Sequence, residues 1–280
     1  MYTPAVPHMT DHFNTHASTV NLTLVGYYLF FSVGLLIFGP ISDKHGRRPI
    51  LMGGMAVYTA GSALCAMATS IWALIAFRVV EALGAGAVSA VSTAVVKDAF
   101  CAERREAVLS VVQVMFVIGP VLAPVVGAFI VRVADWRVTF WVLAAVGALC
   151  FVLTVLFKET LPENERYQGS VLGSLCNLGV VAKNKGFTSF LLIVGMFNLP
   201  FMAYIAVASY VYIDFFGLDE MGYSLYFAIA ALLTAVGPFI WLVAQKFMNA
   251  RRFTNIILTI AGLSGVAMLC VGQISPALFC

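Results

Sequence analysis

The chain encodes an all-α, polytopic membrane bundle. Three observations predict it. Hydrophobic residues make up 61% of the 280 and charged residues only 10%, the mean hydropathy is +0.97, and the apolar residues gather in runs of about 20, the length a helix needs to cross the hydrocarbon of a bilayer. Soluble globular domains do not reach that balance. A membrane barrel would alternate apolar and polar residues in strands of about ten, and this sequence does not.

The uninterrupted runs predict eight full spans, at residues 21–41, 49–69, 72–96, 107–131, 137–157, 188–212, 222–245 and 254–273. Met1 to Val6 reads as the outer tip of an earlier helix and Ser275 to Cys280 as the opening of a later one, so the bundle is expected to be incomplete, with partial ends. The start has neither a basic region nor an apolar core of its own, which argues against a cleavable leader. Lys and Arg set the orientation. With Asp43 on the cytosolic side, Lys44, Arg47, Arg48, Lys97, Arg104, Arg105, Lys158, Arg166, Lys183, Lys185, Lys246, Arg251 and Arg252 also lie inside, whereas only Arg132 and Arg137 lie outside. That is the positive-inside bias of a membrane protein. The net charge of +3 follows from this inner rim and does not describe a nucleic-acid surface.

One long polar interval, Lys158 to Gly186, divides the chain. We expect an N-terminal helical bundle over 1–157, a central cytosolic loop over 158–187 and a partial C-terminal bundle over 188–280. Within the loop, Leu172, Leu175, Leu178 and Val181 keep helical spacing, which suggests an amphipathic helix on the membrane surface. The six cysteines, Cys65, Cys101, Cys150, Cys176, Cys270 and Cys280, form no close pair and read as small buried hydrophobes, without a disulfide framework or a metal site.

The densest polar cluster is Gly39-Pro40-Ile41-Ser42-Asp43-Lys44-His45-Gly46-Arg47-Arg48-Pro49-Ile50. It reads as a turn-forming loop in which Gly39 and Gly46 allow close approach and left-handed geometry, while Asp43 accepts hydrogen bonds from backbone donors at a helix start. Further on, Arg78 lies about seven residues into its span, roughly 10 Å deep. A charge there costs on the order of 2.5–3.5 kcal/mol, so it needs a wet cavity or an acidic partner. Glu81, at i+3, shares its helix face. The pair reads either as a structural ion pair or as a coupling site. In the fourth span, Gly119, Ala123 and Gly127 recur every four residues beside Pro120 and Pro124, giving a flat, bendable packing seam.

Weaker signals remain. Tyr27, Tyr28 and Phe31, with Phe197, Asn198, Phe201, Met202 and Tyr204, offer aromatic and thioether walls that suit either a lipophilic substrate or the lipid. His8, His12 and His16 recur every four residues beside Asp11, a spacing that aligns imidazoles for a metal only on a helix. With Pro7 present we expect an outer loop carrying solvated histidines and no metal. Asn21-Leu22-Thr23 fits a glycosylation sequon.

Several of these stretches carry a family resemblance. The Gly39 to Ile50 cluster resembles motif A, which joins spans 2 and 3 in transporters of the major facilitator superfamily. Arg78-Val79-Val80-Glu81-Ala82-Leu83-Gly84 resembles the span 4 signature, motif B, with Glu81 where glutamine is usual. Gly119-Pro120-Val121-Leu122-Ala123-Pro124-Val125-Val126-Gly127 resembles the span 5 antiporter signature, motif C, with Ala128 replacing a second glycine. Tyr2-Thr3-Pro4-Ala5-Val6-Pro7 resembles the end of span 1 in Bcr/CflA-type drug:proton antiporters, without the preceding aspartate. Trp136-Arg137 and Lys158-Glu159-Thr160-Leu161-Pro162 flank span 6 as in that group. The matches cover residues 1 to 162 and thin out beyond, where Arg251-Arg252 only faintly echo Arg47-Arg48.

The resemblance implies a proton-coupled secondary transporter, not an enzyme, that exports amphipathic drugs or antibiotics by alternating access. It makes Arg78 and Glu81 the proton-coupling residues, the Asp43 segment with Arg47 and Arg48 a gating latch, and span 5 the antiporter seam. Tyr28, Asn198, Phe201 and Tyr204 become the candidate substrate cavity. The expected partners are a small amphipathic substrate, protons and the lipid bilayer of the inner or plasma membrane, with no nucleic acid, no cofactor beyond the proton, no metal and a monomeric state. Two other readings stay open: a truncated membrane fragment that does not transport, and a nutrient or sugar transporter of the same fold.

Overall fold

The computed structural model describes residues 3–219, 221–230 and 248–271, and every regular element among them is helical. A 3-10 turn at Thr3–Ala5 leads into α1 (Val6–His12). Then come α2 (Ala17–His45), α3 (Arg47–Ala66), α4 (Ile71–Ala99), α5 (Ala102–Val133), α6 (Arg137–Leu156), α7 (Val171–Ala182), α8 (Lys185–Tyr210), α9 (Met221–Ala230 of its described part) and α10 (Ala250–Val271). Among the described residues each expected span falls on a helix, with 231–245 and 272–273 lying outside them. Among the described residues, α2, α3, α4 and α6 are long and apolar enough to cross a membrane. At 29 residues, α2 is about 43 Å long by helical rise. The helix foreseen inside the central loop is α7.

The chain divides into two compact units: one takes residues 6–111 and 134–206, the other 1–5, 112–133 and 207–280. In the first, α4 packs along both α2 and α3, and α3 also packs along α6. Small residues permit this. A Cβ at Gly86 would sit 2.5 Å from the Phe31 carbonyl of α2, and one at Gly84 would sit 2.5 Å from the Tyr58 nitrogen and 2.7 Å from the Gly54 carbonyl of α3. At Gly61 it would meet the Glu81 backbone nitrogen at 2.7 Å. Where apolar lipid supplies no hydrophobic drive between helices, such close backbone approach is what holds them together. The hydroxyl of Ser70 caps α4 by accepting from the Ala73 N–H at 3.2 Å.

Residues 207–230 and 112–133 belong to the second unit. There α8 ends in a π turn, Val211–Phe215. Fully buried Tyr212 stacks on Tyr226 with 5.5 Å between ring centroids and also meets Tyr223 at 6.0 Å. The buried Ser224 hydroxyl donates to the Pro124 carbonyl at 3.1 Å, which ties α9 to the proline-bearing stretch of α5.

Several local expectations need correction. The Gly39 to Ile50 stretch is not a long loop: α2 runs on through Pro40 to His45, and Gly46 alone breaks the helix before α3. One proline removes one donor and leaves the rest of the helical ladder intact. Residues 6–12 are the helix α1, whose first turn tolerates Pro7, so the expected outer loop is wrong; even so, no cluster of three metal-ligating side chains forms among the described residues. The Asn21 sequon lies inside α2, where Thr23 is fully buried and donates to the Val20 carbonyl. Cys65 is buried as expected, but Cys101 is exposed.

Candidate functional site

Arg78 and Glu81 stand one turn apart on α4, and both are buried: Glu81 is 1% exposed and Arg78 5%. Arg78 Nη1 donates to Glu81 Oε2 at 2.9 Å. The α3 helix supplies the rest of the carboxylate's surroundings. Ser62 Oγ donates to Glu81 Oε1 at 3.1 Å, and Cys65 Sγ lies 3.6 Å from Oε2. The guanidinium lies 4.1 Å from the centre of the Tyr27 ring of α2 and 5.8 Å from that of Phe140 of α6. Four helices therefore converge on one ion pair, and a cation desolvated against an aromatic face gains on the order of 2 kcal/mol there. The i,i+3 pairing is the one expected from the sequence. Ser62, Cys65 and the Tyr27 stacking are additions that no spacing along the chain reveals.

The end of the same unit where α2 meets α3 holds a second constellation. Arg47 is 6% exposed. Its Nε donates to Asp98 at 2.7 Å, and its Nη1 donates to both Asp43 and Ser42. Asp43 thus meets a side chain, not the backbone donors expected of it. That role belongs to Glu159, whose carboxylate accepts from the N–H groups of Arg47 at 2.9 Å and Arg48 at 3.2 Å, at the start of α3, and from Thr160 and Leu161. Arg48 in turn donates to the Val155 carbonyl at 2.6 Å, and the Tyr167 N–H donates to the Asp43 carbonyl at 2.9 Å. The first residues of the central segment are a strap across the α2–α3 junction.

Gly46 is needed twice over. Its φ of 98° is a left-handed conformation that residues with a Cβ rarely adopt, and a Cβ there would sit 2.5 Å from Glu159 Oε2. Gly39, by contrast, has open space around its Cβ position, so the close approach expected of it is absent. Asp98 escaped the sequence reading, and Glu159 entered it only as part of the segment flanking span 6; the available signals were an acid beside Lys97 in the last turn of α4, and an acid three residues after the end of α6.

Burial pushes the Glu159 carboxyl up, but the N–H donors of Leu161, Arg47, Arg48 and Thr160 outweigh it and hold it below the usual carboxylate range. A depressed carboxyl stabilises the fold above the ordinary glutamate value, and that stabilisation is lost as the pH falls through the lowered one. Glu159→Gln is expected to cost about 0.5 kcal/mol near neutrality, the low end for a helix cap because solvent screens it. It should also remove this part of the acid sensitivity. Thermal unfolding of both forms as a function of pH checks it; parallel wild-type and variant curves would contradict the capping role.

The remaining expected residues scatter. On α5, Pro124 and Gly127 are buried, while Gly119 is exposed with open space at its Cβ position, so the four-residue seam is not packed along its whole length. The Pro120 side chain lies outside the described residues. Tyr28 is 41% exposed, and Tyr27 stacks on Phe31 at 6.2 Å between centroids. Tyr204 is half-buried, and the Asn198 and Phe201 side chains lie outside the described residues.

Comparison with known proteins bears on this architecture. The family model described as Major Facilitator Superfamily matches residues 1–280. The chain is 32% identical over 243 residues to the uncharacterized MFS-type transporter YdgK of Bacillus subtilis, covering 86% of this chain and 60% of that protein. It is 30% identical over 235 residues to a chloramphenicol resistance protein of Pseudomonas aeruginosa, covering 83% of this chain and 55% of that one. It is also 30% identical over 163 residues to the multidrug resistance protein MdtL of Escherichia coli, covering 58% and 42%. Among solved structures, the E. coli xylose transporter XylE in a partially occluded inward-open conformation superposes with a TM-score of 0.71 at 15% identity, covering 99% of this chain and 78% of that one. The human organic anion transporter MFSD10 gives 0.61 at 20%, covering 84% and 61%. At these identities the structures report the fold. The chain spans roughly 55–64% of the length of the first three curated relatives.

Proposed function

This chain belongs to the Major Facilitator Superfamily, and from that premise we propose that the whole protein is a proton-coupled exporter of amphipathic drugs or antibiotics, of the Bcr/CflA type, in the inner or plasma membrane. The observation that carries the reading is the Arg78–Glu81 pair, an ionisable couple buried inside a bundle of membrane-spanning helices. Intramembrane ionisable residues are expensive and mark ion or proton paths. Likeness to a chloramphenicol resistance protein and to MdtL supports the substrate class. The likeness to xylose transporters, at 15–17% identity, carries only the fold, so a nutrient substrate has no separate support.

In this mechanism, ionised Glu81 and Arg78 together carry no net charge. A proton on Glu81 leaves the guanidinium uncompensated, which changes the energy of the buried site and biases the rocking of the two bundles. Drug leaving against proton entry draws on the membrane potential, worth roughly 2.3 kcal/mol per charge per 100 mV, and on the pH gradient. Arg47, Asp43, Asp98 and Glu159 serve as the cytosolic latch, and the span 5 seam as the moving contact. The proton is the only coupling ion required, and a monomer suffices.

The test is Glu81→Gln in the whole protein, with chloramphenicol transport followed in proteoliposomes across imposed pH gradients. Drug binding is expected to persist while the slope of rate against pH flattens. An unchanged slope would make Glu81 a structural partner of Arg78 and move the proton to another acid.

A further inference from the structure

At the end of the first unit away from the α2–α3 junction, the last residue of α1, the connection between α3 and α4 and the start of α6 meet in a cluster that the proton-coupling reading does not use. Half-buried Arg137 is at its centre. Its Nη1 donates to Asp135 at 3.1 Å. Its Nη2 donates to the Ala68 carbonyl at 3.2 Å and meets Nε2 of His12, the last residue of α1, at 3.1 Å. The guanidinium lies 4.5 Å from the centre of the Trp136 ring. Buried Trp136 also meets His12 at 5.7 Å and Phe13 at 5.5 Å between ring centroids. A guanidinium has donors only. His12 Nε2 is therefore the acceptor, which fixes the imidazole as its neutral form with the proton on Nδ1. His12 itself is exposed, so water reaches the ring.

From this contact we infer that His12 is an acid-released clasp: neutral, it ties the end of α1 to Arg137, and protonated, it lets go. Protonation takes the one lone pair that Arg137 uses and sets a second cation against the guanidinium. The lost lone pair decides the outcome, since a nearby carboxylate offsets charge but restores no acceptor on Nε2. Among the described residues, the charged and titratable groups around His12 are Arg137 and Asp135 at the start of α6, with Asp11, His8 and His16 on its own stretch of chain. The α3–α4 connection contributes the uncharged Ala68 carbonyl. Histidine is the side chain whose ordinary charge change falls between about pH 5 and 8. In the orientation expected from Lys and Arg this end faces outward, towards the medium whose acidity the clasp senses. The inference goes beyond the proposed function and stands whether or not Glu81 carries the transported proton.

The experiment is imidazole NMR on the whole purified protein, labelled at its histidines, with the His12 signals identified by their loss in His12→Gln. At about pH 8, above the histidine range, His12 is expected as the neutral Nδ1–H tautomer, with no proton on Nε2. Amide hydrogen exchange over residues 6–16, corrected for the intrinsic effect of pH, reads the clasp itself. Protection there is expected to fall by about tenfold between about pH 8 and pH 5, the scale for losing one hydrogen bond to a charged group. Stopping at about pH 5 stays above the ordinary carboxylate range. His12→Gln keeps an acceptor near the place of Nε2 and does not titrate, so it should hold wild-type protection at both ends of the series. His12→Ala and Arg137→Gln should show the low protection throughout. An Nε2–H tautomer at the upper pH would overturn the clasp. So would wild-type protection that does not change with pH, or an equal fall in His12→Gln, which assigns the titration to His8, His16 or another group. None of these outcomes bears on the Glu81 test, which reads transport.

Discussion

Arg78→Ala is expected to abolish drug transport and to destabilise the protein by about 3–5 kcal/mol, the scale for breaking a buried ion pair by removing one partner. The loss has three parts. Glu81 keeps the Ser62 and Cys65 contacts but loses its only counter-charge among its hydrogen-bond partners, Tyr27 loses the guanidinium stacked over its ring, and a cavity opens between α2, α4 and α6. Arg78→Lys should do better without reaching wild type, since an ammonium keeps the charge but not the planar face that stacks on tyrosine. The double variant Arg78→Met, Glu81→Leu separates stability from function: it should recover most of the lost stability, because no carboxylate is stranded, and still fail to couple drug to protons. Thermal unfolding in detergent, paired with transport in proteoliposomes, reads both. An Arg78→Ala protein that melts and transports like wild type would sink the assignment.

What the sequence disclosed follows from the range over which each signal acts. The spans were readable because lipid demands about 20 apolar residues in a row, a local property, and the described helix boundaries fall within a few residues of the expected ones. The Arg78–Glu81 pair was readable because both partners sit on one turn. Glu159 and Arg47 are 112 residues apart, and nothing periodic links them. The same holds for Ser62, Cys65 and Tyr27 around Glu81, which come from neighbouring helices whose relative rotation is set by tertiary packing. Asp43 was assigned the right neighbourhood and the wrong partner: a carboxylate near a helix start does find backbone donors here, but Glu159 reaches them from the segment after α6, and Asp43 turns to the Arg47 side chain. The family comparison resolves the fold, and it leaves the roles of these side chains to experiment.

Gly84→Leu is expected to disrupt the first compact unit more than any other single glycine replacement of ordinary backbone angle. A Cβ at this position lies 2.5 Å from the Tyr58 nitrogen, 2.7 Å from the Gly54 carbonyl and 2.9 Å from the Tyr58 Cα, and all three are backbone atoms that no rotamer change can move. Relief requires α3 to separate from α4, which pulls Ser62 and Cys65 away from Glu81. Overpacking of a tight core typically costs about 1–3 kcal/mol, and here the upper end applies, with loss of coupling in addition. Gly84→Ala should give the smaller version of the same defect. Gly53→Ala and Gly195→Ala, whose Cβ positions meet nothing within 4 Å, serve as controls that add the same methyl group to the same kind of helix. Expression, melting temperature and pH-driven transport of the four variants decide the matter. If Gly84→Ala behaves like the two controls, the α3–α4 contact is not the constraint that holds the coupling site together, and Ser62 must owe its position to something else.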